Sequence, residues 1–400
     1  MQYTYASIVP LIGGETIAMQ NVFQKKPEYI LSYADFTPND THLVEYYKGK
    51  VPYYLLDNDR THNIPTVDVV NTVCPCAGLS SLNTSASSDA AANDWMSTSA
   101  DYVLGTVKPR VFWGENAPRL ASKMGEPIVE NLREIGRKYG YTFSLYKTKS
   151  LLHGLSQVRD RSFYFFWKGN KVPKLDFFFR KHKKIEDTIR SSKNVPNDPM
   201  SVLTNNKTPS KNPFYRFVLE EMCGGITHKQ FQNLITKTVN PMDYIENNNV
   251  KYNEVASWLN SKGFEKEADR AMTMYNKLAQ GNNIMRRSVT IPKNIIGAFV
   301  GHLPFELTHP DLDRHLTIRE CLTIMGLPDD FTLQGGRKNL NHICQNVPVT
   351  TASDMAAQVL RFVQGFLDNQ LIDTNFIVQD NKSQENFYEK SPLQLDQFMV

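Results

Sequence analysis

Four residues in this sequence are of types, and at spacings, that can carry out nucleophilic chemistry together. Cys76 ends an apolar run in the stretch CPCAGLSSLN, Glu115 ends the next apolar run, and Arg159 and Arg161 form an Arg-x-Arg pair further along. A cysteine attacks as its thiolate, which neighbouring guanidinium groups favour. A glutamate in the same cleft can protonate or hydrogen-bond a ring nitrogen of the substrate. The set therefore predicts a thiolate nucleophile with a glutamate and two arginines beside it.

The second cysteine of the same stretch, Cys74, leaves a metal site open as an alternative. A Cys-x-Cys pair provides two ligands, whereas a structural zinc site usually needs four. The other cysteines stand apart, at Cys223, Cys321 and Cys344, and the histidines are scattered. We therefore expect reduced thiols and no metal ion. We expect Cys74 to pack in the protein near the nucleophile Cys76 and to have no role in the reaction.

Short apolar runs before these residues predict the elements that position them. The runs are ASIVPLIGG, YILSYADF, VPYYLLDND, VDVVNTVC, PRVFWGENAP and RSFYFFWKG. Continuous apolar runs separated by polar crossover stretches are typical of buried parallel strands. The segment from Gly125 to Gly140 has the pattern of an amphipathic helix closed by a glycine. The sequence thus predicts an α/β fold with a doubly wound sheet.

In such a sheet the carboxyl ends of the strands line one ligand crevice. The residues predicted to reach it are Gly13-Gly14, Asp35, Asp57, Pro75-Cys76 and Glu115-Asn116. A Gly-Gly turn lets the backbone approach a nucleotide-like ligand, and acids at later strand ends commonly hold ribose hydroxyls. A tight turn that binds nothing explains the glycines equally well.

Composition and charge narrow the class of protein. The chain has 400 residues, of which 41% are hydrophobic, and a net charge of +4. Neither a signal peptide nor a membrane-spanning run is visible, so we expect a soluble cytoplasmic protein. Between Lys168 and Lys193 stand nine Lys and Arg residues against three acids. This basic stretch favours a polyanionic partner, with a solvated charged surface as the alternative.

Changes in composition predict the domain organisation. Residues 181–285 are polar and rich in Asn and Lys, and this segment is predicted to be an inserted domain. Residues 1–180 and 286–375 have globular character and are predicted to form the main domain. The polar residues 376–400 are predicted to be a loosely attached tail.

Six motifs in a fixed order then resemble those of the DNA cytosine-5 methyltransferases. They are SIVPLIGG (7–14), PCAGLS (75–80), ENAP (115–118), QVRDR (157–161), LTIREC with MGLPDDF (316–331) and QNVPV (345–349). The resemblance runs from about residue 7 to residue 363. The diverged insert falls in the gap where that family has its target-recognition domain, so residues 181–285 are expected to read the target.

The resemblance implies a Rossmann-like sheet that binds S-adenosylmethionine and methylates C5 of cytosine in duplex DNA. Cys76 would add to C6 of a flipped-out cytosine, and Glu115 would hold N3 and the exocyclic amine. Arg161 would contact the base, while Arg159 would contact a backbone phosphate or the catalytic loop. Residues 77–95 would form a loop that closes over DNA.

The resemblance also assigns binding residues. The residues expected at the cofactor are Val9, Ile12, Gly13, Gly14, Asp35 at the ribose, Asp57 at the adenine edge, Pro75 and Asn346. Those expected at the substrate are Ser80, Asn116 and Gln157. Val9 and Leu11 depart from the family, which has an aromatic residue and a glycine at these positions.

Two alternatives keep the same fold. One is a DNA-binding protein that no longer methylates, although the departures from the family spare the four reactive residues. The other is a tRNA cytosine-5 methyltransferase, which usually carries a Cys-Phe-Thr string that is absent from residues 181–285. We expect an active monomer, either paired with a restriction nuclease or solitary, as in a phage that masks its DNA within a host cell.

Overall fold

The computed structural model describes residues 3–9, 11–33, 37–56, 64–74, 78–79, 87–88, 90, 93–286 and 288–384. Its strands are β1 (Tyr5–Ile8), β2 (Ile30–Tyr33), β3 (Tyr53–Leu56), β4 (Val69–Thr72), β5 (Val111–Asn116), β6 (Tyr141–Lys149), β7 (Gln157–Val158), β8 (Asp160–Lys168), β9 (Val172–Pro173), β10 (Ile296–Gly297), β11 (Leu371–Ile372) and β12 (Phe376–Asp380). Six of these strands, namely β1 to β5 and β8, coincide with the six apolar runs of the sequence.

The helices alternate with the strands in the first half of the chain and dominate the second half. They are α1 (Gly14–Phe23), α2 (Thr37–Tyr46), α3 (Asp94–Tyr102), α4 (Glu126–Tyr139), α5 (Ile185–Arg190), α6 (Pro213–Phe217), α7 (His228–Leu234), α8 (Pro241–Asn247), α9 (Tyr252–Ser261), α10 (Glu265–Ala279), α11 (Leu303–Glu306), α12 (Ile318–Ile324), α13 (Leu340–Gln345) and α14 (Val349–Val363). Helix α4 ends at Gly140 with a φ of 79°, as its glycine predicts. No helix in the described ranges is both long and apolar enough to span a bilayer.

The central sheet has eight strands in the order β12-β6-β8-β5-β4-β1-β2-β3. Strands β5, β4, β1, β2 and β3 run parallel. The chain proceeds from β1 outward to β3 and then resumes at β4 on the other side of β1. This reversal of strand order confirms the predicted doubly wound α/β class. Sheets of this class bind ligands at the point of reversal, which here lies between β1 and β4.

Strand β8 lies between β5 and β6 and runs antiparallel to both. Aromatic pairs fix its register against β5, because Phe112 stacks on Phe166 at 5.7 Å and Trp113 on Phe165 at 6.0 Å between ring centroids. In this register the carboxyl end of β5 lies beside the amino end of β8. That antiparallel step brings the Glu115 region next to the Arg161 region.

The chain divides into two compact units. Unit 1 comprises residues 1–182, 325–334 and 345–400, and unit 2 comprises 183–324 and 335–344. The second unit begins close to the predicted residue 181, but residues 286–324 belong to it and not to the main domain. Its core includes Phe214, Tyr215, Phe231 and Leu259.

The predicted tail requires a correction at its start. Residues Phe376–Asp380 form β12 and pair in parallel with β6. The apolar run of this strand is only three residues long, and the polar Gln379 and Asp380 follow it, so the composition of the segment resembles that of a tail. Part of the predicted tail is therefore an edge of the central sheet.

Candidate functional site

Glu115 and Arg161 form an ion pair at the carboxyl end of β5. The Nε atom of Arg161 contacts Oε1 of Glu115, and the two side chains are 14% and 2% exposed. Their meeting follows from the antiparallel pairing of β5 and β8, in which Asn116 lies opposite Ser162. The structure thus brings together two of the four residues that the sequence predicts to be catalytic.

The environment of Glu115 favours its protonated form. Burial raises the pKa of this carboxyl, while Arg161 and Arg159 lower it, and burial prevails. A carboxyl with a raised pKa beside a fixed guanidinium can hold a proton closer to neutral pH than a free glutamate can. The pair can therefore supply both a proton and a positive charge to a ring placed against it.

Arg159 lies deeper than Arg161 and joins the pair to a distant part of the chain. Its side chain is buried, and Nη2 donates a hydrogen bond of 2.9 Å to the backbone carbonyl of Asn346. The side chain of Asn346 in turn accepts a 2.9 Å hydrogen bond from the backbone amide of Gly14. Arg159 and Asn346 thus connect the region of the ion pair to the start of α1.

The turn between β1 and α1 has an unusual backbone. Val9, Leu11 and Gly13 have φ angles of 49°, 51° and 87°, in the left-handed region. For Val and Leu this conformation costs about 1–2 kcal/mol per residue, so the surrounding structure must hold it in place. The turn keeps a glycine-like shape although Val9 and Leu11 are not glycines. Ile12, also predicted at the cofactor, is buried.

Both glycines of this turn are closely packed. A Cβ atom on Gly14 would lie 2.2 Å from the backbone oxygen of Val347, and one on Gly13 would lie 2.4 Å from the side chain of Leu43. The start of α1 therefore rests directly on the backbone that follows Asn346. The side-chain nitrogen of Asn346 is buried there without a hydrogen-bond partner among the described residues.

Glu15, which the sequence did not single out, is the second acid of this region. Its side chain is fully buried, and neither carboxyl oxygen has a hydrogen-bond partner in another described residue. Burial raises its pKa well above the usual range, and Glu115 adds to this, while its own backbone amide, Arg159 and Arg161 act in the opposite direction. An acid in the first turn of a helix is common, so the residue type and position of Glu15 do not indicate in the sequence that its carboxyl is buried.

Two residues predicted at the substrate use their side chains within the protein. Asn116 is buried, donates to the Met96 sulfur at 3.2 Å, and accepts from the backbone amide of Ala117 at 2.8 Å. Gln157 is buried and donates to the Met325 sulfur at 3.4 Å. Asn116 therefore stabilises the turn after β5, and its contact with substrate stays a prediction.

Cys74 packs in the core as the sequence predicts. It is 1% exposed, and its sulfur lies 3.4 Å from the Thr72 hydroxyl and accepts from the Tyr164 hydroxyl at 3.8 Å. The remaining predicted site residues fall outside the described ranges; they are Cys76, Asp35, Asp57, Pro75 and Ser80. In the described part of the chain, no group of three His, Cys, Asp or Glu side chains could hold a metal ion.

The basic stretch is available to solvent. All nine Lys and Arg residues between Lys168 and Lys193 are exposed, as are Phe177 and Phe179 within it. Arg180 pairs with Asp354 and Arg190 with Asp311, so part of the charge is neutralised. The lysines keep the stretch strongly positive.

Comparison with known proteins gives one family match. The family model described as C-5 cytosine-specific DNA methylase matches residues 12–361. No curated protein matches the chain.

Several solved structures have a similar fold. A candidate DNA modification methyltransferase encoded within an E. coli prophage has 14% identity and a TM-score of 0.55, over 90% of this chain and 99% of that chain. The Entamoeba histolytica methyltransferase EhMeth has 11% identity and a TM-score of 0.49, over 91% and 99%. The S. pombe Dnmt2 methyltransferase has 11% identity and a TM-score of 0.47, over 90% and 99%. At such identities the likeness to the first structure supports the Rossmann-like fold alone.

Proposed function

The chain belongs to the C-5 cytosine-specific DNA methylase family, and from this premise we propose that it methylates C5 of a flipped-out cytosine in duplex DNA. S-adenosylmethionine, the cofactor this family normally uses, supplies when bound the electrophilic methyl group that C5 takes. The observation that carries the proposal is the buried ion pair of Glu115 and Arg161, because it matches the chemistry that cytosine requires.

Cytosine C5 is a poor nucleophile, and the proposed role of Cys76 is to activate it. The Cys76 thiolate forms a bond to C6, and the electron pair of the C5–C6 double bond becomes available at C5. After C5 is methylated, a base removes the C5 proton. The C5–C6 double bond then re-forms, and the C6–S bond breaks to return the thiolate.

Glu115 and Arg161 take the charge that develops while sulfur adds to the ring. The protonated Glu115 carboxyl donates to N3, so that electron density from the addition is neutralised there. Its second oxygen accepts from the exocyclic amine. Arg161, fixed against Glu115, holds this carboxyl in place and faces the base. Arg159, buried against Asn346, positions the surrounding backbone.

The residues at the start of α1 fit a cofactor of this kind. Val9, Leu11 and Gly13 have left-handed backbone conformations, and the side-chain nitrogen of Asn346 beside Gly14 is buried without a partner among the described residues. A buried donor without an acceptor indicates a ligand that provides one. We assign this region to the cofactor, together with Ile12 and, outside the described ranges, Asp35, Asp57 and Pro75.

The remaining parts of the proposal concern the nucleic acid. Unit 2 recognises the target sequence, and the exposed lysines of the basic stretch neutralise phosphates. Flipping the cytosine out of the duplex costs a few kcal/mol of stacking and pairing. Ser80 and Gln157 remain proposed substrate contacts of the closing loop and its surroundings. The enzyme acts as a monomer in the cytoplasm.

A direct test measures transfer of labelled methyl groups from S-adenosylmethionine to duplex DNA and, in parallel, to total tRNA. We expect incorporation into DNA, located as 5-methylcytosine by bisulfite sequencing. Incorporation into tRNA alone would identify the protein as a tRNA cytosine-5 methyltransferase. A protein that binds DNA from varied sources but transfers nothing contradicts the enzyme proposal.

The nucleophile has its own test in a pair of cysteine variants. Cys76→Ser abolishes transfer, because a serine hydroxyl is not ionised near neutral pH, and it leaves the fold intact. Cys74→Ala keeps most of the activity, because Cys74 only packs in the core. The check is the initial rate of methyl transfer with circular dichroism of both variants. Equal activity in Cys76→Ser contradicts the assignment.

A further inference from the structure

The Glu15 carboxyl is a buried polar group for which the proposed reaction has no use. It is fully buried, and neither oxygen is hydrogen-bonded to another described residue. A buried polar group without a partner costs free energy, and buried polar atoms in folded proteins are almost always satisfied. Such a group at the edge of a predicted cofactor site points to an interaction that the protein alone does not complete.

The cations near Glu15 are engaged elsewhere. Arg161 contacts Glu115, and Arg159 donates to the backbone of Asn346. Both arginines act electrostatically on Glu15, which places its carboxyl in the same region as the ion pair, but neither donates to it. Among the described residues, then, neither of the two arginines that act on Glu15 pairs with it, and a cationic ligand can supply the partner.

The position of Glu15 indicates which ligand. It follows Gly14 directly, in the first turn of α1, where the backbone leaves the strained turn after β1. This turn is the proposed binding site of S-adenosylmethionine, whose methionine end carries two cationic groups, the sulfonium and the α-ammonium. An anion is the complementary group for either of them.

We propose that Glu15 binds the methyl donor directly, as the carboxylate partner of its cationic methionine end. The proposal rests on the proposed function, since it concerns the same cofactor site. The proposal adds Glu15 to the residues that bind the cofactor. It predicts a higher affinity for S-adenosylmethionine than for neutral thioethers, because a carboxylate pairs with a cation.

The test compares three probes by isothermal titration calorimetry, with wild-type protein and Glu15→Gln. S-adenosylmethionine has both cations, S-adenosylhomocysteine has the ammonium only, and 5′-methylthioadenosine has neither. We expect Glu15→Gln to weaken S-adenosylmethionine about ten- to a hundredfold, the range of a charged hydrogen bond, and to leave 5′-methylthioadenosine unchanged. If Glu15→Gln weakens binding of S-adenosylhomocysteine to the same degree, the partner of Glu15 is the α-ammonium. If it weakens that binding little, the partner is the sulfonium.

Glu126→Gln is the matched control, because Glu126 is also an acid in the first turn of a helix but is exposed. It changes none of the three affinities. Glu15→Asp keeps the charge and retains more affinity for S-adenosylmethionine than Glu15→Gln does. Thermal melting of each variant shows whether it is folded at the temperature of the titration.

Two results overturn the inference while leaving the proposed function standing. One is an unchanged affinity of Glu15→Gln for S-adenosylmethionine, and the other is an equal loss with 5′-methylthioadenosine, which would place Glu15 at the adenosine end. Wild-type protein that binds none of the three probes overturns both the inference and the proposed function.

Discussion

At the scale of single residues, the site contains two buried acids in different surroundings. Glu115 has Arg161 against its carboxyl, whereas Glu15 has no hydrogen-bond partner in another described residue. Burial raises the pKa of both carboxyls, and the charge of Glu115 raises that of Glu15 further. The pKa order alone does not assign their roles: we propose that Glu115 carries a proton to the ring, and that Glu15 is charged when a bound cation stabilises its carboxylate.

Glu115→Gln removes the proton donor and keeps the size of the side chain. We expect methyl transfer to fall by about 10²- to 10⁴-fold, the usual contribution of a general acid. The measurement is kcat/KM for transfer to duplex DNA. Glu130→Gln is the control, since Glu130 also pairs with arginine, namely Arg133 and Arg137, but on the surface. Activity equal to wild type in Glu115→Gln contradicts the role of Glu115.

Glu15→Gln should make the protein more stable at higher pH. Because the folded-state pKa of Glu15 is raised, the folded protein keeps a proton that the unfolded chain releases above the usual glutamate range. The free energy of unfolding of wild type then falls with rising pH, and glutamine removes this dependence. Urea denaturation at several pH values checks this prediction. The free energy of unfolding of Glu15→Gln, relative to that of wild type, should increase with pH above about 4.3, the pKa of glutamate in the unfolded chain. An advantage that is constant or shrinks with pH contradicts the burial of an acid.

At the scale of elements, the start of α1 and the segment before α14 form one structure. The amide of Gly14 donates to Asn346, and α14 packs along α1. Residues far apart in the sequence thereby build the region that we propose for the cofactor. Arg159, donating to the same Asn346, connects it to the amino end of β8.

Gly14→Ala should separate these elements. The added Cβ would lie 2.2 Å from the backbone oxygen of Val347, and backbone cannot move as a side chain can. We expect a loss of about 1–3 kcal/mol or more in the free energy of unfolding, measured by urea denaturation. Gly297→Ala is the control, because no atom lies within 4 Å of its Cβ position. Coincident curves for Gly14→Ala and wild type contradict the close approach.

The sequence predicts the parallel half of the sheet well, because its buried strands are continuous apolar runs. It does not predict β6 or β12, which lie towards or at an edge and carry polar residues such as Lys147 and Gln379. The order of the motifs in the sequence also predicts that Glu115 and Arg161 lie near each other. The sequence does not predict the buried carboxyl of Glu15, because its burial depends on packing between α1 and distant segments that no local pattern encodes.

At the scale of the whole molecule, the two units have separate hydrophobic cores. One core surrounds the central sheet, and the other is built from the helices between residues 213 and 279 together with Val289 and Ile291. The described residues that we assign to the cofactor all belong to unit 1. Binding of cofactor and recognition of DNA are therefore expected to depend on different cores.

Leu259→Ala tests this division by weakening unit 2. Leu259 is fully buried in the core of that unit, and its truncation costs about 2–5 kcal/mol. We expect methyl transfer to DNA to be lost at a lower temperature than in wild type, while affinity for S-adenosylmethionine is kept. Leu132→Ala, in the core of unit 1, is the counterpart and should reduce cofactor affinity. Loss of cofactor binding in Leu259→Ala contradicts the separation.

The hydrogen bond from Gly14 to Asn346 also has a consequence for biosynthesis. It joins residues that are 332 positions apart, so unit 1 cannot close until most of the chain has left the ribosome. Unit 2 contains an uninterrupted segment, residues 183–324, which emerges earlier and has its own core. Domains fold as units during synthesis. The unit proposed to recognise DNA therefore has the means to fold first, and the proposed methylation site is completed after it, once Asn346 has been synthesised.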